Sequence, residues 1–143
     1  MAEFLDFAAR HWYLFAALFA ILGLLIGTEV YQSLSGVKGV NPAQTLQLIN
    51  HDDALVVDLR GASDYRGGHI QGAVNIPSGE LKDRLKEVQR FKAKPVVVYC
   101  QTGTRSQSAG GILKQAGFDR VHHLKGGLQA WRGDNLPVRK KAG

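Results

Sequence analysis

Between His11 and Thr28 the chain carries no Asp, Glu, Lys or Arg, and Trp12 to Gly27 reads WYLFAALFAILGLLIG. Apolar residues fall on every side of a helix drawn through this stretch, unlike the single stripe of a helix packed on a core. Eighteen residues at 1.5 Å rise span about 27 Å, just short of a hydrocarbon core of about 30 Å. Val30, Tyr31 and Leu34 can complete the crossing, with Glu29 at the interface and Trp12, Tyr13 and Tyr31 where aromatic anchors belong. A cleaved signal peptide would need a basic start and a small-x-small cleavage site. Here Glu3 and Asp6 precede the run and Gly27-Thr28-Glu29 follows it. The pattern predicts an N-terminal tail at 1–10, an uncleaved transmembrane helix at 11–31 and a Gln/Ser/Gly tether at 32–39.

From residue 40 the pattern changes to short β-branched runs alternating with helical spacing, which predicts an α/β domain at 40–138 with a parallel sheet covered by helices. Asn41-Pro42 reads as an N-cap followed by proline in the first turn, opening a helix to about Asn50. Strands are expected at Leu55–Asp58, Ala73–Ile76, Val96–Tyr99 and Val121–Leu124. Ser78 is expected to cap a helix that buries Leu81, Leu85 and Val88, with Lys82, Arg84, Lys86 and Arg90 turned elsewhere. A helix from Arg105 to Ala116 places Ala109, Ile112, Leu113 and Ala116 on the core and stops at Gly117. A short helix at Leu128–Arg132 and a basic tail at 139–143 complete the chain.

Charge separates the same two parts. Of the 143 residues, 1–37 hold one base (Arg10) against three acids (Glu3, Asp6, Glu29), a net of −2. The remainder holds 17 bases and 9 acids, a net of +8 within the overall +6. A basic domain suits anionic lipid, nucleic acid or an acidic partner. The bases from Lys82 to Lys94 are mixed with Asp83 and Glu87 and hold a single aromatic, Phe91, and the tail Arg139-Lys140-Lys141 holds none, so a solvated face or contact with anionic lipid is expected and nucleic-acid binding is not. The single cysteine, Cys100, forms no internal disulfide and supplies no cysteine-rich zinc site.

Cys100 is nevertheless where the chemistry points. The strand Val96–Tyr99 runs into Cys100-Gln101-Thr102-Gly103-Thr104-Arg105-Ser106, and a helix follows. Ligands of open parallel sheets collect at such strand-to-helix junctions. A thiol there faces converging backbone N–H groups and the positive end of a helix dipole, which favour the thiolate and lower its pKa from about 8.5. Gly103 lets the loop curl into an anion nest, and Arg105 adds a cation that can orient an anionic substrate. The plainer alternative, a small apolar cysteine finishing a core strand, sits poorly with the polar, glycine-containing residues that follow.

These residues carry a resemblance. Cys100 to Ser106 resembles the active-site loop of the rhodanese (thiosulfate sulfurtransferase-like) family. Val57-Asp58-Leu59-Arg60 with Asp64-Tyr65, then Gly68-His69-Ile70-Gln71-Gly72-Ala73-Val74-Asn75-Ile76-Pro77, resembles its upstream motif; Gly126-Gly127, Trp131, Gly133 and Pro137 resemble its C-terminal one. The resemblance implies a three-layer α/β domain with a mostly parallel five-stranded sheet and a persulfide formed on Cys100. It implies a cradle made by the backbone of Gln101, Thr102, Gly103, Thr104, Arg105 and Ser106, and no cofactor. Phosphatases of this fold carry five residues between cysteine and arginine; here four intervene, so the smaller cradle resembles the sulfurtransferase kind.

The implied reaction is ping-pong transfer of sulfane sulfur from thiosulfate or a persulfide to a thiol acceptor. With no second cysteine the acceptor comes from outside, which favours a reducing compartment and a domain facing the cytoplasm from a bacterial inner membrane. Arg10 against Lys38 leaves the positive-inside count nearly balanced. A rival of another class is a non-catalytic module of the same fold, tethered to the bilayer beside a membrane-protein partner. Asp58 and Arg60 are expected to support the site wall as an internal ion pair, and Arg66 to be solvated. The resemblance makes His69 a structural, hydrogen-bonding histidine. His122 and His123 point to opposite faces of one strand and cannot share a metal, so no metal site is expected. Trp131 reads as core.

Overall fold

The computed structural model describes residues 1–140, with backbone alone for 32–35. Two units are distinct, 1–34 and 35–143. The first holds helices α1 (Ala2–Arg10) and α2 (Trp12–Ser35). The helical ladder breaks at His11, whose backbone turns to φ −121°, ψ 33°. The residues expected as a tail thus form a helix of their own. Glu3, Asp6 and Arg10 lie on one side at three- and four-residue spacing, while Phe4, Leu5 and Phe7 are exposed on the rest. Within α2, Trp12–Tyr31 makes 20 residues long and apolar enough to cross a membrane, and none of the apolar run is buried in the protein. The expected contribution of the Leu34 side chain lies outside the described residues, as does Lys141 of the tail.

The second unit is built on a five-stranded, wholly parallel sheet in the order β1-β6-β5-β2-β4. Its strands are β1 (Val37–Val40), β2 (Leu55–Asp58), β4 (Val74–Asn75), β5 (Val96–Tyr99) and β6 (Val121–Leu124). β1 corrects the expected tether at 32–39: α2 continues to Ser35, and Val37 to Val40 pair with Val121 to Leu124. Val37 and Val40 are buried, which is what holds this segment in the sheet. A small antiparallel pair, β3 (His69–Ile70), which follows the short helix α4 (Ala62–Gly67), with β7 (Val138–Arg139), lies apart; it takes Arg139 out of the expected tail.

Helices cover both faces. Residues alternate along β5, so Val96 and Val98 join one core cluster and Val97 and Tyr99 the other. The first cluster packs under α5 (Ser106–Gln115) through Ala109 and Leu113. The second packs against α3 (Pro42–Asp52) and α6 (Gly127–Gly133) through Leu46, Ile49, Leu128 and Trp131. Each fully buried Leu or Val contributes roughly 1.5–3 kcal/mol by leaving water. Layers of helix, sheet and helix result. The start of α3 follows the sequence reading: Asn41 caps it through its side chain on the Gln44 N–H, Gln44 returns the bond, and Pro42 sits in the first turn.

Between Pro77 and Pro95 the structure departs from the expected helix. Ser78–Glu80, Leu85–Glu87 and Gln89–Phe91 are short 3₁₀ turns, and the Ser78 side chain caps nothing. Bonds such as Glu87 N–H to the Arg84 carbonyl (3.1 Å) and Val88 N–H to Leu85 (3.1 Å) span three residues rather than four. The buried face survives the change: Leu81 and Val88 are fully enclosed and Leu85 packs beside them.

Candidate active site

β5 ends at Tyr99, and the next six residues turn over the carboxyl edge of the sheet before α5 begins at Ser106. Cys100 is 5% exposed and touches the core beneath α5, yet its sulfur is not surrounded by carbon. The Gly103 N–H donates to Sγ at 3.0 Å, and the amides of Arg105, Thr102 and Ser106 point at the same atom. Burial pushes the Cys100 thiol up, but these four amides together outweigh it and hold its pKa below the ordinary thiol value. Arg105 and Ser106 open α5, so their N–H groups are among those a helix leaves unpaired.

Two features fix the loop in this shape. Gly103 adopts φ +95°, and the buried Ser106 hydroxyl donates to its carbonyl at 3.1 Å. The start of α6 supplies the second: Leu128 N–H donates to the Cys100 carbonyl (2.9 Å) and Gln129 N–H to the Gln101 carbonyl (3.1 Å). C=O and N–H point in opposite directions across a trans peptide. Drawing the Gln101 carbonyl outward toward α6 therefore turns the Thr102 N–H inward toward the sulfur. Close approach makes this possible, because a Cβ on Gly127 would collide with the Cys100 carbonyl oxygen and lie 2.7 Å from Gln101 C.

The opposite wall is a buried network. Asp58 is fully enclosed at the end of β2. Arg60 N–H and Nε donate to Asp58 Oδ1 at 2.9 and 3.1 Å, and Arg60 Nη2 donates to Oδ2 at 2.8 Å and to the Gly68 carbonyl at 2.6 Å. Arg60 Nη1 donates to Gln101 Oε1 at 3.2 Å, tying this wall to the cradle. Burial works against the Arg60 charge; the Asp58 carboxylate more than compensates and keeps the guanidinium firmly protonated. His69 stacks on Tyr65, with centroids 3.8 Å apart, and its Nδ1–H donates to the Tyr65 carbonyl at 2.7 Å.

A cleft of about 260 Å³ opens over the sulfur, lined by Leu59, Arg60, Gly61, Asp64, Cys100, Gln101, Thr102, Thr104 and Arg105. The structure thus brings together Cys100, the loop from Gln101 to Ser106, and the Asp58–Arg60 pair. Sequence reasoning placed Tyr99 in the strand and Asp64 in the upstream motif without giving either a place in the site, and it missed the grip of α6 on the loop. The Gly126-Gly127 pair was the available signal for that grip, since both residues adopt positive φ and one abuts the loop backbone. His122 and His123 lie in β6 away from the cleft lining, and among the described residues no cluster of three or more His, Cys, Asp or Glu suits a metal.

Comparison with known proteins agrees with this geometry. A family model described as rhodanese-like domain matches residues 41–134. The uncharacterized protein YibN of Escherichia coli K12 is 38% identical over 139 residues, covering 96% of this chain and 97% of that protein. The tRNA uridine(34) hydroxylase of Escherichia fergusonii is 33% identical over 105 residues, 68% of this chain but 30% of that longer protein. Among solved structures, a rhodanese-related protein from Thermoplasma volcanium superposes with a TM-score of 0.65 at 30% identity, covering 73% of this chain and 99% of its own. With the parallel sheet, the thiol at its carboxyl edge and the amide cradle already described, the chain belongs to the rhodanese-like domain family.

Proposed function

We propose that this protein is a membrane-anchored sulfurtransferase that moves sulfane sulfur through a persulfide on Cys100. The observation that carries the reading is the Gly103 N–H on Cys100 Sγ at 3.0 Å, within a ring of loop amides. Such a ring favours a thiolate nucleophile and suits the anionic outer sulfur of a persulfide. The thiolate attacks the outer sulfur of thiosulfate; the S–S bond breaks and sulfite leaves with its electron pair. An acceptor thiolate then attacks the outer sulfur of the Cys100 persulfide, forming the acceptor's persulfide and returning the Cys100 thiolate. Arg105 at the rim favours anionic donors, and Asp58 and Arg60 support the wall through Gln101.

The apolar helix Trp12–Tyr31 supports anchoring in a bacterial inner membrane, and dependence on external thiols favours a domain facing the cytoplasm. Incubating the full chain with thiosulfate is expected to add the mass of one sulfur atom to Cys100, removable by reductant and absent from Cys100→Ser. An unchanged mass would overturn the reading. A second reading, a non-catalytic module serving a membrane-protein partner, draws support from the same helix, since small sulfur donors require no anchor. Retention of the chain's cellular role in Cys100→Ser would favour it.

A further inference from the structure

α2 runs to Ser35 and β1 starts at Val37, so Gly36 alone joins the apolar helix to the sheet. From Tyr31, the last residue of the apolar span, the chain reaches Val37 in four helical steps and two peptide steps. That path is no more than about 14 Å long at any hinge angle. Where the span crosses a bilayer, the start of β1 therefore stays close to the lipid headgroups, a layer about 5–7 Å deep on each side. The fold gathers cations at this point from places remote in sequence. Lys114, near the end of α5, lays its side chain against Gly36, where a Cβ would stand 2.6 Å from Lys114 Cε. Its Nζ donates to the Asp119 carbonyl at 2.6 Å, and Arg120 Nη2 donates to the Ala93 carbonyl at 2.9 Å. Lys92 reaches Gly117, at the end of the same helix, and Lys38 is the register partner of His122. Lys38, Arg120 and Lys114 all lie close enough to the His122 ring to disfavour its protonation. Carbonyls hold Lys114 and Arg120 without neutralising them, and among the described residues none of these four bases pairs with a carboxylate. Asp119 is the acid in the same loop, so four bases stand against one acid, a net of +3. Farther along this edge, before β2, Lys94 pairs with Asp53 and Asp52 stands exposed.

We propose that Lys38, Lys92, Lys114 and Arg120 form a cationic collar that binds the phosphates of anionic phospholipid where the apolar helix gives way to the sheet. The proposal rests on the membrane-anchored reading and names the partner of the domain's surface at that anchor. Ammonium and guanidinium donors match phosphate oxygens. Attraction to an anionic surface fades within a Debye length, about 10 Å at 0.1 M salt, and contact with Gly36 keeps Lys114 inside that range of the chain's exit. Along the sequence, Arg10 and Lys38 flank the span almost evenly; the folded chain adds Lys92, Lys114 and Arg120 on the Lys38 side alone.

The full chain is inserted into nanodiscs of phosphatidylcholine alone, or of phosphatidylcholine and phosphatidylglycerol in equal parts. Its lysines are trace-labelled with acetic anhydride and read by mass spectrometry. Lys38, Lys92 and Lys114 should react about threefold more slowly in the anionic discs, and the difference should vanish at about 1 M salt, where the Debye length is about 3 Å. Lys125, exposed just beyond the opposite end of β6, is the internal control and should react alike in both. In a chain carrying Lys38→Gln, Lys114→Gln and Arg120→Gln, the remaining Lys92 should lose its protection. Equal rates in the two discs, slowing that survives salt, Lys125 slowed as much as Lys114, or Lys92 still protected in the triple variant would each overturn the collar. The salt and Lys125 readings come from the unaltered chain and stand even if the variant fails to fold. If the chain elutes apart from the discs, the anchored reading falls and the collar with it; a chain that enters them without lipid dependence sinks the collar alone.

Discussion

The Tyr99 hydroxyl donates to Asp58 Oδ2 at 2.7 Å while accepting the Ile70 N–H at 3.1 Å. Tyr99 and Asp58 are register partners on adjacent parallel strands, so the bond crosses the sheet edge directly beneath the loop that follows Tyr99. Through Asp58 it reaches Arg60, and through Arg60 it reaches Gln101. Burial first, and then the negative charge of Asp58, raise the Tyr99 pKa, so its hydroxyl stays protonated and donating around neutral pH.

Removing parts of this chain should cost unequal amounts. Tyr99→Phe leaves the buried Ile70 N–H without its partner, and the urea midpoint should report a loss of about 1–3 kcal/mol. Asp58→Ala strands a guanidinium that is 8% exposed, and a larger loss of about 3–5 kcal/mol is expected. A smaller loss from Asp58→Ala than from Tyr99→Phe would contradict the assignment of the ion pair as the centre of the network.

Alkylation of Cys100 by iodoacetamide should follow a titration whose midpoint lies below that of a free model thiol measured alongside. The thiolate is the reacting species, so the rate should rise with pH to a plateau reached earlier than for the model compound. Coincident curves would show that burial, not the amides, governs the sulfur.

The grip of α6 on the loop is tested at Gly127. Its φ of +59° and its contact with the Cys100–Gln101 backbone leave no room for a side chain. Gly127→Ala should displace the loop, turn the Thr102 amide off the sulfur and raise the alkylation midpoint. Sulfur loading should fall by about tenfold or more, since backbone strain of this kind costs about 1–3 kcal/mol. Gly133→Ala, on the same helix with open space around it, is the control and should leave both readings unchanged.

The histidines of β6 set a pH limit on stability. Burial lowers both His122 and His123; nearby Lys38, Arg120, His123 and Lys114 add to the effect at His122, as Lys125 does at His123. In each ring Nδ1 is buried without a hydrogen-bond partner among the described residues. With folded pKa values below the unfolded value near 6.5, the unfolded chain binds more protons in the interval between them. Stability is therefore full above about pH 6.5 and declines as pH falls through that interval. Urea midpoints should drop between pH 7.5 and 5.5, and less so in His123→Leu; identical slopes would exclude the histidines as the cause.

The site was legible because its parts are contiguous. One strand, one loop and one helix start within Val96–Ser106 supply the thiol, the amides and the cation, and residue types alone disclose that order. The α6 grip arrives from residues 127–129, where two glycines mark a close approach without naming what is approached. Strand β1 escaped notice because Val37 and Val40 are three residues apart and do not alternate; its pairing with β6 decides its conformation. The stretch 78–91 misled in the opposite sense. Leu81, Leu85 and Val88 have helical spacing, and that spacing reported the buried face correctly while the backbone closed three-residue turns beneath it.

Helix α1 has nine residues, none of them buried, and a helix shorter than about 12–15 residues is marginal in water. A peptide of residues 1–11 dissolved in buffer should accordingly be a coil, and should gain helix when phospholipid vesicles are added and its Phe4 and Leu5 leave the aqueous phase. The conformation of the amino terminus is thus set by the medium around it, and circular dichroism would register its transfer from one phase to the other.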